Sequence, residues 1–143
     1  VPTSSIIKKE ILLVPFFGWA ISCLKPITID RNKKLNSLKR VVQLGSKRIN
    51  EGYMVLIFPE GTRGDPLKGI GKFGSSFGML ATKQNVPVIP ICHNSGRYWV
   101  NKSIKKNKGC ISVKVGPPIT GSNPKEISDK AYLWIKKCYE DIN

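Results

Sequence analysis

Six consecutive apolar or aromatic residues, Tyr53–Phe58 (YMVLIF), constrain this chain more than any other feature. An unbroken run of that length between polar segments is the pattern of a strand buried on both faces, as parallel strands are. A sheet built from such strands needs helices on both of its faces. The run ends in Pro59-Glu60-Gly61-Thr62-Arg63, which reads as a turn at the carboxyl end of the strand.

The neighbouring segments supply the remaining elements. Ile27–Ile29 is a short β-like run that ends in Asp30-Arg31. From Lys34 to Asn50 the apolar residues Leu35, Leu38, Val42 and Ile49 fall on one helical face, and Gly52 is placed to cap that helix. After a Gly-rich loop, Ser75–Gln84 reads as a helix and Val86–Cys92 (VPVIPIC) as a strand whose two prolines restrict pairing. A basic turn carrying Lys102, Lys105, Lys106 and Lys108 precedes a strand at Ile111–Val115. Asn123-Pro124, with Glu126 following, opens a last helix that runs to about Tyr139 and buries Ala131, Trp134, Ile135 and Cys138. Strands alternating with helices predict an α/β fold with a mixed, mostly parallel sheet flanked by helices. With no repeat or linker in 143 residues, one domain is expected. The apolar stretch Ile11–Leu24 is too short to span a bilayer. It suits either a buried core segment or an interfacial one, with Phe16, Phe17 and Trp19 beside lysines at the headgroup boundary.

Charge narrows the choice of partners. Lys and Arg number 24 against 9 Asp and Glu, a net charge of +15 that calls for an anionic partner: nucleic acid, an anionic membrane surface or phosphorylated substrates. Cys23, Cys92, Cys110 and Cys138 stand far apart and His93 is the only histidine, so neither a zinc site nor a disulfide framework is predicted, and reduced thiols are expected. No charged n-region precedes an apolar core at the start, so no signal peptide is visible.

In open α/β sheets, ligands sit beyond the carboxyl ends of the strands. Two of those ends carry an arginine here, Arg31 and Arg63, and a guanidinium fork matches phosphate oxygens in pairs. Gly61 permits close backbone approach, and Thr62 adds a hydroxyl. Glu60 would hold Arg63 or accept a hydrogen bond from a substrate hydroxyl. A purely structural Glu–Arg pair at a tight turn is the competing reading.

Taken together, these residues resemble a known family. Phe58-Pro59-Glu60-Gly61-Thr62-Arg63 is similar to the phosphate-binding signature of the lysophosphatidate and glycerol-3-phosphate acyltransferases. Ile27-Thr28-Ile29-Asp30-Arg31 resembles that family's second block, and Val86-Pro87-Val88-Ile89-Pro90-Ile91 its fourth. Lys8-Lys9-Glu10 followed by Pro15-Phe16-Phe17-Gly18-Trp19 resembles the segment after its first block. The resemblance implies a glycerolipid-acyltransferase-like fold and transfer of a fatty acyl group to a lysophospholipid hydroxyl. The donor would be a thioester of CoA or acyl carrier protein, a co-substrate, with no cofactor and no metal. It further implies that Arg31, Glu60, Gly61, Thr62 and Arg63 bind the acceptor's phosphate. Val86, Pro87 and Pro90 would line the acyl or thioester side. Membrane association at the cytoplasmic face follows; Phe16, Phe17 and Trp19 are candidate contacts, as are Lys102, Lys105 and Lys106 of the basic turn, which reads equally well as a solvated hairpin tip.

One departure matters. The family's general base comes from a His-x-x-x-x-Asp block, and none occurs here: five residues after His93 stands Tyr98. The expectation is that residues 1–143 form the C-terminal portion of one acyltransferase domain, with membrane helices and catalytic block upstream of Val1. Such a chain would be inactive alone and would expose apolar surface. His93 is then structural or a secondary contact. Gly69-Ile70-Gly71-Lys72-Phe73-Gly74 satisfies a dinucleotide fingerprint, but no strand directly precedes it and no acidic residue lies between Asp65 and Glu126. It reads as a flexible loop on the substrate side. Two rivals remain. A non-catalytic lipid-binding relative would differ only upstream, and a basic nucleic-acid module lacks any helix-turn-helix, zinc-finger or RNP-like pattern.

Overall fold

The strand that organises the first part of the chain carries hydroxyls where hydrocarbon was sought. β1 (Thr3–Lys8, TSSIIK) lies at the centre of a parallel three-stranded sheet, between β2 (Ile27–Ile29) and β3 (Met54–Leu56), in the order β2-β1-β3. Ile6 registers with Ile27 and Lys8 with Ile29 on one side, Thr3 with Met54 and Ser5 with Leu56 on the other. Ser4 is fully buried and donates its hydroxyl to the carbonyl of Lys25 at 2.8 Å, which removes the cost of burying it. The run Thr3-Ser4-Ser5 hid this strand from hydropathy.

The computed structural model describes residues 1–30, 34–62, 64–65, 68–99 and 104–142, and its contacts gather into two units, Val1–Phe58 and Pro59–Asn143. In the first unit, α2 (Lys34–Asn50) has the predicted bounds and packs on β2 and β3. It ends as Gly52 foresaw: φ is +81°, the Gly52 amide donates to the Ile49 carbonyl and the Tyr53 amide to that of Arg48, each at 2.9 Å.

Two expectations fail in this unit. Among the described residues β3 has a sheet partner on one side only, and it is not covered on both faces. Val55 is half-buried, whereas Met54, Leu56 and, beyond the strand, Phe58 are exposed. The alternation is that of a strand covered on one face, since successive side chains point to opposite faces of the sheet. The stretch 11–24 is likewise no core segment. It breaks into a 3-10 turn at Lys9–Leu13 and a short helix, α1 (Phe17–Ser22), in which only Gly18 is buried. Phe16, at φ +60°, sits in a tight turn closed by the Phe17 amide on the Pro15 carbonyl at 2.6 Å, a strained conformation for a bulky residue. Pieces this short cannot present a continuous face to the sheet. Leu13, Phe16, Phe17, Trp19 and Leu24 therefore point into solvent.

The second unit contains α3 (Ser76–Gln84), β4 (Ile91–His93), a short α4 (Ser95–Tyr98), β5 (Val113–Val115) and α5 (Pro124–Ile142). β4 and β5 pair antiparallel, Ile91 with Val115 and His93 with Val113. The predicted strand 86–92 shrinks and shifts because Pro87 and Pro90 have no amide to donate. Val88 makes one isolated bridge to Ile119, and the Pro90 carbonyl accepts from Gly116 at 2.8 Å. α5 starts where predicted, the Asn123 side chain accepting the Lys125 amide at 2.9 Å. It buries Ile127, Ala131 and Cys138, while Trp134 and Ile135 are only half-buried. Gly78 lets α3 and α5 touch, since a Cβ there would lie 2.3 Å from the Pro124 carbonyl oxygen. Asn94 is buried and spends its amide side chain on both sides, accepting from the Ser112 amide and donating to the Ile142 carbonyl. The fold class is the α/β one expected, a mostly parallel sheet with flanking helices.

Candidate functional site

A parallel sheet in the order β2-β1-β3 places a change of winding direction at β1, because the chain moves to one side for β2 and to the other for β3. Crevices in open parallel sheets form beyond the carboxyl ends at such a point. The arginine-bearing ends predicted from sequence, those of β2 and β3, therefore leave the same end of the first unit's sheet, with β1 between them rather than as direct neighbours. Arg31 and Arg63 themselves lie outside the described residues.

The carboxyl end of β2 is held by a ring of polar contacts. Lys9, which follows β1, donates to the Asp30 carboxylate at 2.7 Å. That hydrogen bond and the charge of Asp30 hold the Lys9 ammonium above its ordinary pKa of 10.5. The Ser37 hydroxyl donates to the Asp30 carbonyl, and Arg40 reaches Thr28 twice, Nε to the carbonyl at 2.7 Å and a terminal nitrogen to the hydroxyl at 3.1 Å. Sequence reasoning missed Lys9 as a site residue. The signal was present, the pair Lys8-Lys9 after a short Ile-Ile run, but it required recognising β1.

In the second unit, the segment after Pro59 forms a loop closed at both ends. The Gly74 amide donates to the Pro59 carbonyl at 2.8 Å, and the Gly71 amide to the Glu60 carboxylate at 2.8 Å. Gly61 turns the chain at φ +66°, a conformation that favours glycine. Thr62 is exposed. Glu60 was expected to hold Arg63 or meet a substrate hydroxyl, and its described partner is a backbone amide of its own loop. The glycine-rich segment 69–74 was expected to be flexible. Instead Phe73 stacks edge-on against Tyr132 at 5.1 Å and Phe77 at 6.2 Å, so the loop is pinned at three points. On the predicted acyl side, Pro90 is buried, Val86 half-buried and Pro87 exposed.

The acyltransferase family model matches residues 1–94, which contain all of these blocks. The chain belongs to the acyltransferase family. It is 40% identical to a 1-acyl-sn-glycerol-3-phosphate acyltransferase of Pseudomonas aeruginosa over 147 residues, covering 99% of this chain and 57% of that protein. A chloroplastic enzyme of the same name from Brassica napus is 31% identical over 131 residues, covering 88% of the chain and 37% of the relative. The crystal structure of the 1-acyl-sn-glycerophosphate acyltransferase PlsC from Thermotoga maritima superposes with a TM-score of 0.77 at 21% identity, over 99% of the chain and 57% of that structure. The chain thus spans little more than half the length of the first of these relatives.

The remaining predicted residues of this acyltransferase chain divide by unit. Phe16 is 78% and Trp19 65% exposed, their rings meeting edge-on at 5.3 Å. Lys105 and Lys106 are exposed in the basic turn, the Lys106 ammonium lying 4.5 Å above the Trp99 ring, and Lys102 falls outside the described residues. His93 places Nδ1 2.9 Å from the Ser95 hydroxyl. Among the described residues no cluster of three metal-ligating side chains occurs, and no helix is long and apolar enough to cross a membrane.

Proposed function

We infer that the protein to which this chain belongs transfers a fatty acyl group from a CoA or carrier-protein thioester to the free hydroxyl of lysophosphatidate. The product is phosphatidate, made for phospholipid synthesis at the cytoplasmic face of a membrane. The observation that carries this reading is the β2-β1-β3 sheet, whose carboxyl ends lead into Ile29-Asp30-Arg31 and Phe58-Pro59-Glu60-Gly61-Thr62-Arg63. Names shared by the relatives support it.

In this reading Arg31 and Arg63 grip the acceptor's phosphate through paired, charge-assisted hydrogen bonds. Glu60 keeps the loop after β3 in the shape that presents Gly61 and Thr62 to that phosphate. Val86, Pro87 and Pro90 line the acyl side. The thioester supplies an activated carbonyl, so the reaction calls for no metal and no prosthetic group. The attacking hydroxyl needs a general base, and the base belongs to a His-x-x-x-x-Asp block outside these residues. Phe16, Phe17 and Trp19 enter the headgroup boundary of an anionic membrane, and Lys102, Lys105 and Lys106 attract it, at about 1 kcal/mol per lysine near the surface.

The test is acyl transfer from radiolabelled thioester to lysophosphatidate. The full-length protein turns over, the 143-residue chain alone does not, and Arg63→Ala in the full-length protein raises the acceptor KM. Transfer by the isolated chain would return His93 to consideration as the base. A full-length protein that binds lysophosphatidate without acylating it is the non-catalytic relative.

A further inference from the structure

α5 carries Tyr132, Lys136, Tyr139 and Glu140 at positions i, i+4, i+7 and i+8, one stripe along the helix. Opposite this stripe lie Lys68, Gly69 and Ile70 of the pinned loop, and the two sides enclose a cleft of about 260 Å³. Gly69, at φ +78°, makes the bend that turns the loop over the helix, and the edge-on contact of Phe73 with Tyr132 fixes it there. None of the phosphate-binding blocks contributes to the cleft.

Its chemistry is mixed in a specific way. Lys68 and Lys136 supply two ammonium groups from opposite walls, and among the described residues neither makes an ion pair. Two half-buried phenol rings and Ile70 give apolar and aromatic surface. Glu140 adds a carboxylate, which would repel a bare anion but accepts hydrogen bonds from an amine or hydroxyl. A ligand suited to all of these carries a phosphate, a flat ring and a donor group at once. We propose that the cleft takes the phosphoadenosine end of a coenzyme A thioester. The phosphate lies between Lys68 and Lys136, the base against Tyr132 and Tyr139, and a ring amine or ribose hydroxyl donates to Glu140. The volume is below the roughly 300–1,000 Å³ of sites that enclose a whole ligand, which fits one end of a long molecule whose reacting end lies elsewhere. A glycerol phosphate has no ring for the tyrosines. A carrier protein presents a folded surface that a cleft of this size cannot admit.

This proposal rests on the reading of the protein as a thioester-dependent acyltransferase, and the experiment separates the two. The chain is titrated calorimetrically with adenosine 3′,5′-bisphosphate, with sn-glycerol 3-phosphate and with inorganic phosphate. The bisphosphate should bind at least about tenfold more tightly than either of the others, and Lys68→Gln or Lys136→Gln should each weaken it about tenfold, the size of one charge-assisted hydrogen bond. Equal affinity for the three probes, or no response to either substitution, overturns the proposal. In the full-length protein, Lys136→Gln should raise the KM for acyl-CoA, leave kcat unchanged and leave transfer from acyl carrier protein untouched. An unchanged KM for acyl-CoA in a protein that still acylates lysophosphatidate sinks the cleft and leaves the acyltransferase reading standing. If wild-type protein uses neither thioester, that reading falls, and the titration alone decides the cleft.

Discussion

Replacing Glu60 by alanine isolates what the loop after β3 depends on. The carboxylate accepts the Gly71 amide at 2.8 Å, and Glu60 is half-buried while Gly71 is exposed. A hydrogen bond to a charged acceptor contributes about 1.5–3 kcal/mol when desolvated, and solvent access at Gly71 places this one at the low end, about 1.5 kcal/mol. Since about 1.4 kcal/mol is a factor of ten, the Gly71 amide in Glu60→Ala should exchange with deuterium roughly tenfold faster. Glu60→Gln keeps a carbonyl acceptor and should give an intermediate acceleration of about threefold, the lost charge alone. Gly71→Ala attacks the same contact from the other side, because its Cβ would stand 2.9 Å from the carboxylate oxygen. The assay is exchange followed residue by residue, with the amides of α3 as internal reference. If Gly71 exchanges at the wild-type rate in Glu60→Ala, the carboxylate does not hold the loop. Its part in shaping the phosphate site would then have to be abandoned.

Four further outcomes follow from other contacts. Gly78→Ala should destabilise the chain by about 2 kcal/mol in urea unfolding: the helix-propensity gain of about 1 kcal/mol is outweighed by overpacking of up to about 3 kcal/mol against Pro124; unchanged stability would mean α3 and α5 separate freely. Thiol reagent at pH 8 should label the exposed Cys23 and Cys110 but not the buried Cys92 and Cys138. Burial, then the neighbouring Cys138 thiol, pushes the Cys92 thiol up to about 12, so the unfolded chain ionises first and stability should fall between about pH 9 and pH 12, a decline that Cys92→Ala removes. Trp19→Ser, and separately the joint replacement of Lys102, Lys105, Lys106 and Lys108 by glutamine, should each weaken flotation with anionic vesicles; unaltered binding by both variants would remove the membrane role of these residues.

Hydropathy made some of this structure legible and concealed the rest for identifiable reasons. The bounds of α2 and β2 and the start of α5 could be read directly, because each has a marked apolar stripe or a capping residue whose bonds are local. β1 could not, since the buried Ser4 looks solvent-facing until the Lys25 carbonyl 21 residues away supplies its acceptor. The apolar run at β3 indicated a strand but overstated its cover, which depends on what packs against each face and not on composition. Arg31 and Arg63 were recognisable from the blocks that carry them, and the common carboxyl end from which those blocks depart required the strand order. The cleft beside α5 left no motif at all, because its two walls are more than sixty positions apart in sequence.

The place of β1 also sets an order of assembly. This strand precedes both of its partners in the chain, yet its pairing with β3 joins Thr3 to Met54 across most of the first unit. Until that partner leaves the ribosome, β1 has one open edge and a buried serine without its surroundings. Closing so long a loop is entropically slow, so the sheet should complete late and cooperatively. Ribosome-stalled nascent chains ending before residue 54 should remain protease-sensitive at β1.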